Sequence, residues 1–428
     1  MNILVVSSFL PYPLFSGGHI RLYSIIKELS RRHTITLICE KRKHQTEDDV
    51  KEVEKICEVI WVERKQQWSI KNILQAGFSS YPFLMTGHTN SEMKKRIEDV
   101  LRQRKIDVIH IETFYVYQNM PRVLIPTVLV EHNIEYLVYK RFADSAPKFI
   151  KHLLLLDILK MRYWEQKFWQ KATKLVAVSE QEKNMMTRDD VAVVPNGVDV
   201  NKFKVRRSEL KVNDREKRVL FIGDFRWIQN RDALEWILKE IWPEISSKFP
   251  TSPRLRGASE VQSSPASPSE ASPKAGEAGR AKLLLWIVGR DIPSSLKKLT
   301  KDDSIMFDEN ASENTTEIFK KADILLAPIR IGGGTSFKIL EAMASGVPVV
   351  TTSLGIEGIG AIKNKEVLIA NTSYEFGEET NRVLRNPHLY KELAGNARKL
   401  IEEKYDWDVI VKKLEDVYTS AVYHAGAI

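Results

Sequence analysis

The chain has 428 residues, more than a single hydrophobic core usually organises, so we expect two domains. Its net charge of +9 favours an anionic partner, such as a phosphorylated small molecule, a membrane surface or a nucleic acid. The two cysteines argue against a disulfide scaffold and suit a reducing cytosol. The apolar start, MNILVVSSFLPYPL, lacks a basic segment and a small-residue cleavage site, so it predicts a buried strand rather than a signal peptide.

Short β-branched segments alternate with helical patterns in the first half of the chain. NILVVSS is followed by the amphipathic HIRLYSIIKELSRR and then by TITLICE, which is the β-α-β order of a parallel sheet. Further strands are predicted at VIWVE, DVIHIE, TVLVEHN, KLVAVSE and VAVVPNG. Together these elements predict one doubly wound domain over residues 1–203.

A second series of strands follows a turn-rich segment, VPNGVDVNKF, and a polar linker. The predicted strands are RVLFIGDF, KLLLWIVGR, SIMFDE, ADILLAPI, VPVVTTS and EVLIA. They predict a second doubly wound domain over residues 215–404, followed by an amphipathic helix at 405–428. Residues 251–281 are rich in Ser, Pro, Ala and Gly and lack aromatic residues, so we expect a disordered insertion there.

The segment ADILLAPIRIGGGTSFKILEAMAS joins a predicted strand to a helix through three consecutive glycines. Ligands of open α/β sheets bind beyond the carboxyl ends of strands, and a helix N-terminus offers unpaired N–H groups to phosphate. A phosphate-binding loop is therefore predicted at Gly333, Gly334 and Thr335, with a plain tight turn as the alternative. Glu341 suits the two hydroxyls of a ribose, with a solvated helix face as the simpler interpretation.

Several motifs resemble those of the retaining glycosyltransferases of family 4. They are SGGHIRLYSIIKEL, VAVSE, VVPNGVD, VLFIG and GGGTSFKILEAMASGVPVVTT. The resemblance covers nearly the whole chain except the insertion. It implies the α/β GT-B fold, in which two Rossmann-like, doubly wound parallel-sheet domains face each other across a cleft. It further implies that the C-terminal domain binds a nucleotide-sugar donor, that the N-terminal domain binds the acceptor, and that the final helix crosses back to the N-terminal domain.

The resemblance assigns donor contacts, with one departure in the paired-glutamate motif. Glu341 matches the second Glu of that motif, which binds the ribose, whereas Gly333 stands where the first Glu would be. Backbone amides of Gly333, Gly334 and Thr335 are expected to replace the contacts of the first Glu with the donor sugar.

A second departure concerns the donor's diphosphate. Relatives carry an Arg directly after the strand-end Gly and a Lys about five residues later, whereas here Asp224 follows Gly223. Lys338, Arg226 and Arg231 are the candidates for the missing positive charge. Lys338 is the first choice because it lies at the junction of loop and helix, and Arg226 is the second.

On the N-terminal side, the resemblance assigns Gly17, Gly18 and His132 to the active site and points more loosely to Glu112. Gly17 and Gly18 match a glycine loop that faces the diphosphate and the acceptor, although the tripeptide SGG fits a plain loop equally well. His132 ends a strand and matches the family's active-site His near the donor sugar, whereas a lone His is more often structural. Glu112 ends a neighbouring strand, where many relatives have a second His.

The function implied by the resemblance is transfer of a sugar, with retention, from a nucleotide diphosphate donor to an acceptor hydroxyl. We expect no metal and no cofactor besides the donor itself, and a role in cell-envelope glycan or polysaccharide biosynthesis. The alternatives are a sugar-nucleotide epimerase or hydrolase on the same fold and a non-catalytic nucleotide-sugar binding protein. The first strand lacks G-x-G-x-x-G, which disfavours a dehydrogenase, and only bulk charge supports a nucleic-acid partner, so none is expected.

Residues 138–174 carry nine Lys or Arg against three acids. Basic segments of this kind dock on anionic membrane surfaces, and ordinary helices with solvated lysines explain the pattern equally well. The first interpretation predicts a cytoplasmic protein that is peripheral on the inner face of the cell membrane. Its acceptor would then be a glycan or a lipid-linked molecule.

Overall fold

The computed structural model describes residues 1–144, 148–203, 216–249, 282–312, 314–331 and 335–426. The chain divides into two compact units: unit 1 comprises Met1–Asp199 with Glu403–Ile428, and unit 2 comprises Val200–Glu402. The predicted insertion at 251–281 lies outside the described residues, as does most of the predicted linker. Within the described ranges, no helix is both long and apolar enough to cross a bilayer.

Unit 1 is built on a sheet of parallel strands. In chain order the strands are β1 (Asn2–Ser7), β2 (Thr34–Lys41), β3 (Glu58–Glu63), β4 (Val108–Glu112), β5 (Thr127–Val130), β6 (Lys174–Ala177) and β7 (Ala192–Val193). Their order across the sheet is β3-β2-β1-β4-β5-β6-β7, and every pairing is parallel. The central strands are buried along almost their whole length and consist mainly of apolar residues, because helices cover both faces of the sheet.

The helices of unit 1 connect these strands. In chain order they are α1 (Gly17–Leu29), α2 (Glu47–Glu54), α3 (Ile70–Phe78), α4 (Phe83–His88), α5 (Ser91–Gln103), a short 3-10 helix (Phe114–Asn119), α6 (Glu135–Asp144), α7 (Lys148–Lys171) and α8 (Glu180–Met185). Local sequence starts several of them, as at α2, where Thr46 and Asp49 form a reciprocal capping box. The basic segment 138–174 thus falls largely on α6 and α7.

Unit 2 repeats the architecture with a smaller sheet. Its strands are β8 (Glu216–Ile222), β9 (Lys282–Val288), β10 (Ile305–Asp308), β11 (Ile324–Ala327), β12 (Val349–Thr351) and β13 (Leu368–Ile369). Their order is β10-β9-β8-β11-β12-β13, again with parallel pairing throughout. Each strand predicted from the sequence is confirmed, and so are the two doubly wound sheets.

The helices of unit 2 pack around this sheet. They are α9 (Ile228–Trp236), a π-helical turn (Ile237–Ile241), α10 (Trp242–Lys248), α11 (Ser294–Lys297), α12 (Thr315–Phe319), α13 (Phe337–Ala344), α14 (Ser373–Arg385) and α15 (Pro387–Lys404). Helix α13 is the predicted helix after the glycine-rich segment. It ends next to Gly346, whose φ of +67° is a conformation that glycine adopts without strain.

The C-terminal helix, α16 (Trp407–Gly426), belongs to unit 1. Its Glu415 accepts a hydrogen bond from Nε of Arg32 at 2.9 Å, and its Tyr418 is fully buried. Gly197, in the motif VVPNGVD, lies directly against Trp407, since a Cβ at Gly197 would stand 2.7 Å from the indole ring. Close packing of the C-terminal segment therefore explains why this turn contains glycine.

Strand order reverses once in each sheet, between β1 and β4 in unit 1 and between β8 and β11 in unit 2. Open parallel sheets bind ligands at such a switch point, just beyond the carboxyl ends of the strands. The residues that leave β4 and β5, and those that leave β8 and β11, are therefore the places to look for a functional site.

Candidate active-site residues

The parallel register of unit 1 brings three titratable side chains to the carboxyl ends of β4 and β5. Strand β4 is fully buried, and its alternation points His110 and Glu112 to the same face. Glu112 pairs in register with Val130, the last residue of β5, and His132 follows two residues later. This neighbouring position brings the imidazole of His132 to the carboxylate of Glu112.

A chain of hydrogen bonds links these residues. Nε2 of His132 donates to Oε1 of Glu112, and Nε2 of His110 donates to Oε2 of the same carboxylate at 2.5 Å. The Tyr418 hydroxyl then donates to Nδ1 of His110 at 2.5 Å. An ionised carboxylate accepts hydrogen bonds only, which fixes the direction of the chain. The arrangement leaves Nδ1 as the ring nitrogen of His132 that is not bonded to Glu112.

The electrostatics keep Glu112 ionised. Burial alone would raise the pKa of this carboxyl, but the charge of His132 and the hydrogen bonds from both imidazoles lower the pKa well below its usual value of 4.5. Burial and the negative charge of Glu112 raise the pKa of Tyr418, so this phenol stays protonated and able to donate. Sequence reasoning noted Glu112 only as a replacement for a second His, whereas the structure makes it the partner of His132.

The structure places Gly17 and Gly18 in the first turn of α1, not in the preceding loop as the sequence predicts. A Cβ built on Gly18 would lie 3.4 Å from Nδ1 of His132, so the glycine leaves this nitrogen uncovered. Gly18 and His132 are therefore brought together, 114 residues apart in the chain. The missing side chain is what keeps the space beside Nδ1 free.

Two further residues near this group were missed by sequence reasoning. Arg21 is buried in α1 and donates to the carbonyl oxygens of Val194 and Pro195, each at 2.8 Å, which fixes the motif VVPNGVD. Burial raises the pKa of Glu182 in α8 to about 7, against the opposing hydrogen bond from Ser179 and the charges of His132 and Arg21. Ser179 and Glu182 have the spacing of a helix N-cap. The sequence therefore indicates a capping role for Glu182 and not a carboxylate close to His132.

In unit 2 the glycine-rich segment is only partly described. Gly333 and Gly334 lie outside the described residues. Thr335 is buried, and its hydroxyl donates to the carbonyl oxygen of Gly358 at 3.5 Å. The chain that leads into this segment is fixed from β12, because the hydroxyl of Thr351 donates to the carbonyl of Ala327 at 2.7 Å. The motif PVVTT, through Thr351, thus holds the carboxyl end of β11, which precedes the glycine-rich segment.

Lys338, the first-choice cation, lies in the first turn of α13. Its Nζ donates to Oδ1 of Asn230 at 2.8 Å and lies 5.0 Å from the ring centre of Phe221. Burial lowers the pKa of Lys338 to about 8, so the amine remains mostly charged at neutral pH. Asn230 in turn donates to the backbone carbonyl of Asp224 at 2.8 Å. Lys338 is thereby connected to the carboxyl end of β8, next to Gly223.

Arg226, the second choice, is an exposed side chain that already has carboxylate partners. It forms a 2.5 Å ion pair with Asp224 and lies 3.6 Å from Asp291. Asp224, the residue that departs from the family pattern, is thus the direct partner of Arg226. Arg231, the third candidate, is exposed on α9. A further arginine missed by sequence reasoning, Arg330, follows β11 and pairs with Asp232 at 2.9 Å.

Glu341 is half-buried on α13, in the second turn of the helix. Burial raises the pKa of this carboxyl to about 7, and the nearby charge of Lys202 only partly opposes the increase. Its neighbours Ile339, Leu340 and Ala342 are fully buried, so α13 is a core helix, and Glu341 is its one carboxylate. Across the described ranges, no group of three His, Cys, Asp or Glu side chains is arranged to hold a metal ion.

This chain contains two Rossmann-like units, each with polar side chains at its switch point. It therefore has the GT-B fold. Residues 15–202 match the family model described as Glycosyltransferase Family 4, and residues 269–386 match that of the Glycosyl transferases group 1. The chain belongs to the family 4 glycosyltransferases and is an enzyme of that family.

Individual relatives are distant in sequence. An uncharacterized 44.6 kDa protein in the cps region of Klebsiella pneumoniae is 24% identical over 95% of this chain and 96% of that protein. Sucrose-phosphate synthase from Thermosynechococcus elongatus superposes with a TM-score of 0.67 at 13% identity, over 98% of this chain and 99% of the other. HepE of Anabaena, solved in complex with UDP and glucose, gives a TM-score of 0.61 at 13% identity, over 98% and 100%.

Proposed function

We propose that the protein transfers a sugar from a nucleoside-diphosphate donor to an acceptor hydroxyl, with retention at the anomeric carbon. The observation that carries the proposal is the Glu112–His132 pair at the carboxyl edge of the unit 1 sheet, beside Gly18. A fully buried carboxylate that orients an imidazole is costly to fold and is typical of a functional site. Family membership supports the reaction class.

The donor is proposed to bind unit 2. Glu341 accepts hydrogen bonds from the two ribose hydroxyls. Lys338 balances the charge of the diphosphate, and Arg226 is the second candidate for this contact. Backbone amides at Gly333, Gly334 and Thr335 complete the phosphate contacts. The complex of the similarly folded HepE with UDP and glucose makes UDP-sugars the first donors to test.

The chemical task is to stabilise the charge that develops on the leaving diphosphate. Lysine and amide donors do this without a metal ion or a cofactor other than the donor. His132 positions the sugar with the nitrogen that Glu112 leaves free, and Gly18 leaves room beside this nitrogen in the first turn of α1, which begins at Gly17. A phosphate oxygen of the donor then takes the proton of the acceptor hydroxyl as the new glycosidic bond forms on the same face.

The acceptor is proposed to be a growing envelope polysaccharide or its lipid-linked precursor. Support comes from the similarity to a protein whose name places it in the cps region. An acceptor of this kind would bring the enzyme to the surface of an anionic membrane, where the positive net charge of +9 is favourable.

A donor panel tests the proposal most simply. The purified chain is incubated with UDP- and GDP-sugars, and release of the nucleoside diphosphate is followed with and without glycan acceptors. We expect the wild type to turn over one of the donors. The control is a His132→Ala variant, which should still bind the nucleotide-sugar but form the nucleoside diphosphate far more slowly. Tight binding of a nucleotide-sugar without turnover by the wild type would instead identify a non-catalytic binding protein. Release of free sugar at the same rate with every acceptor would identify a hydrolase.

A further inference from the structure

Helix α3 of unit 1 is oriented with its apolar side outward. Ile70 and Phe78 are 79% and 93% exposed, and Ile73 and Leu74 are exposed between them. Its interior-facing positions are instead Asn72 and Ala76, and the amide of Asn72 donates to the carbonyl of Gln67 at 2.8 Å. A surface helix of a globular protein normally has the opposite arrangement. The outer side of α3 therefore suits contact with an apolar phase.

Helix α7 lies next to α3 and continues the exposed apolar surface. Nζ of Lys160 donates to the carbonyl oxygens of Ala76 and Ser79 at 2.9 and 2.8 Å, which fixes α3 to α7. Leu156, Leu159 and Tyr163 are exposed along one side of α7. We call the exposed apolar residues of this region the apolar face; they are Trp68, Ile70, Ile73, Leu74, Phe78, Leu156, Leu159 and Tyr163.

The exposed charges of the segment 64–91 and of α7 have one sign. Residues 64–91 contain no Asp or Glu. The two acids in the body of α7 are turned inward: Asp157 accepts from the backbone N–H of Phe83 at 2.8 Å, and Glu165 accepts from backbone N–H groups of α6. Among the α7 side chains that the structure describes, the exposed cations are Arg162, Lys167 and Lys171. An apolar surface bordered by cations is complementary to an anionic lipid bilayer.

We propose that the apolar face inserts shallowly into an anionic phospholipid bilayer, with α3 in the acyl boundary and the cations of α7 at the headgroups. A second copy of the chain fits less well, because two such faces would bring cations against cations. The exposed Trp68 and Tyr163 are the residue types that prefer the membrane–water interface. Lys160 is not one of the headgroup contacts, because its ammonium group supports the end of α3.

The proposed membrane insertion rests on the proposed function in one respect: an acceptor held at the membrane is the reason for the enzyme to bind there. It differs from docking by charge alone in one measurable respect. Purely electrostatic binding disappears at high salt, whereas inserted apolar side chains retain part of the affinity.

Vesicle sedimentation with the full chain tests the proposal. The probes are phosphatidylcholine vesicles with and without about 30% phosphatidylglycerol, at about 0.1 M and about 1 M salt. Wild type is expected to bind the anionic vesicles strongly and to keep measurable binding at high salt. The double variant Ile73→Ser/Leu74→Ser is expected to bind at least about tenfold more weakly at both salt concentrations. Arg162→Glu/Lys167→Glu is expected to lose binding mainly at low salt.

The matched control is Leu124→Ser, which removes a leucine that is 99% exposed but lies outside α3 and α7. It should bind vesicles like wild type. The proposal is overturned if wild type ignores anionic vesicles, if Ile73→Ser/Leu74→Ser binds them normally, or if Leu124→Ser weakens binding equally. It is also overturned if wild type is a dimer that the double variant dissociates. Donor turnover is measured on the same samples, so that a failure of membrane binding alone leaves the transferase assignment intact.

Discussion

The carboxylate of Glu112, at the end of β4, accepts a hydrogen bond from Nε2 of His132, which lies just beyond the neighbouring strand β5. Glu112 is fully buried and His132 is partly exposed, so the carboxylate supports the ring from the interior of unit 1. The second oxygen of Glu112 accepts from His110, and Tyr418 completes the chain. The partly exposed imidazole is thus held by groups that solvent does not reach.

Gly18→Ala tests the space beside His132. The added methyl group would lie 3.4 Å from Nδ1, close enough to cover this nitrogen without displacing the backbone. We expect kcat to fall by about tenfold or more, while the melting temperature changes little because alanine suits the first turn of a helix. Gly395→Ala, in α15, is the control, since a Cβ there meets no atom within 4 Å. Equal activity of both variants would mean that the nitrogen beside Gly18 is not used.

Tyr418→Phe tests the far end of the hydrogen-bond chain. Removing the hydroxyl leaves Nδ1 of buried His110 without its donor, so we expect a loss of stability on the order of 1 kcal/mol. We also expect a severalfold decrease in kcat with the donor KM unchanged. His110 would then hold Glu112 less firmly, and Glu112 orients His132. Tyr423→Phe changes an exposed tyrosine of the same helix and should alter neither quantity. A change in stability without one in kcat would make Tyr418 purely structural.

Glu341→Gln separates stability from donor binding. In the folded protein the pKa of Glu341 is raised to about 7, whereas the unfolded chain titrates near 4.5. The folded state therefore binds more protons between these values, and stability decreases as pH rises from 4.5 to 7. The variant lacks this penalty and should gain on the order of 1–3 kcal/mol at about pH 8, with little gain at about pH 4.

The same substitution should weaken UDP binding by about tenfold or more, because a neutral amide is a poorer acceptor for two ribose hydroxyls. Calorimetric titration with UDP at about pH 8, where the wild-type carboxylate is ionised, checks this. Unchanged UDP affinity would disprove the ribose contact while leaving the stability prediction in force.

Lys338→Met and Arg226→Met form a matched pair that identifies the diphosphate contact. Lys338 has a neutral amide partner, Asn230, whereas Arg226 already shares its charge with Asp224. Lys338→Met is therefore expected to weaken UDP binding by about tenfold or more and Arg226→Met by much less. Affinity for uridine, which has no phosphate, should change in neither variant. The reverse order of effects on UDP would assign the phosphates to Arg226.

The strands of this protein could be predicted because buried parallel strands are continuous apolar segments that stand out in any sequence. The pairing of Glu112 with His132 could not, since it depends on the register of β4 and β5 rather than on spacing along the chain. Sequence also left Arg226 available for phosphate, because the ion pair with Asp224 depends on the turn after β8. The outward apolar side of α3 escaped prediction for a related reason: periodicity identifies the two sides of a helix but not which one meets solvent.

Glu112→Gln tests directly whether a buried carboxylate orients His132 for sugar transfer. An amide accepts through only one atom, so it fails to hold both imidazoles as Glu112 does. The measurement is the rate of nucleoside-diphosphate release at saturating donor, alongside UDP affinity and the melting temperature. We predict a kcat at least about a hundredfold lower, with UDP affinity unchanged in protein that is still folded. A folded Glu112→Gln variant that turns over at the wild-type rate would show that Glu112 does not orient His132 for sugar transfer.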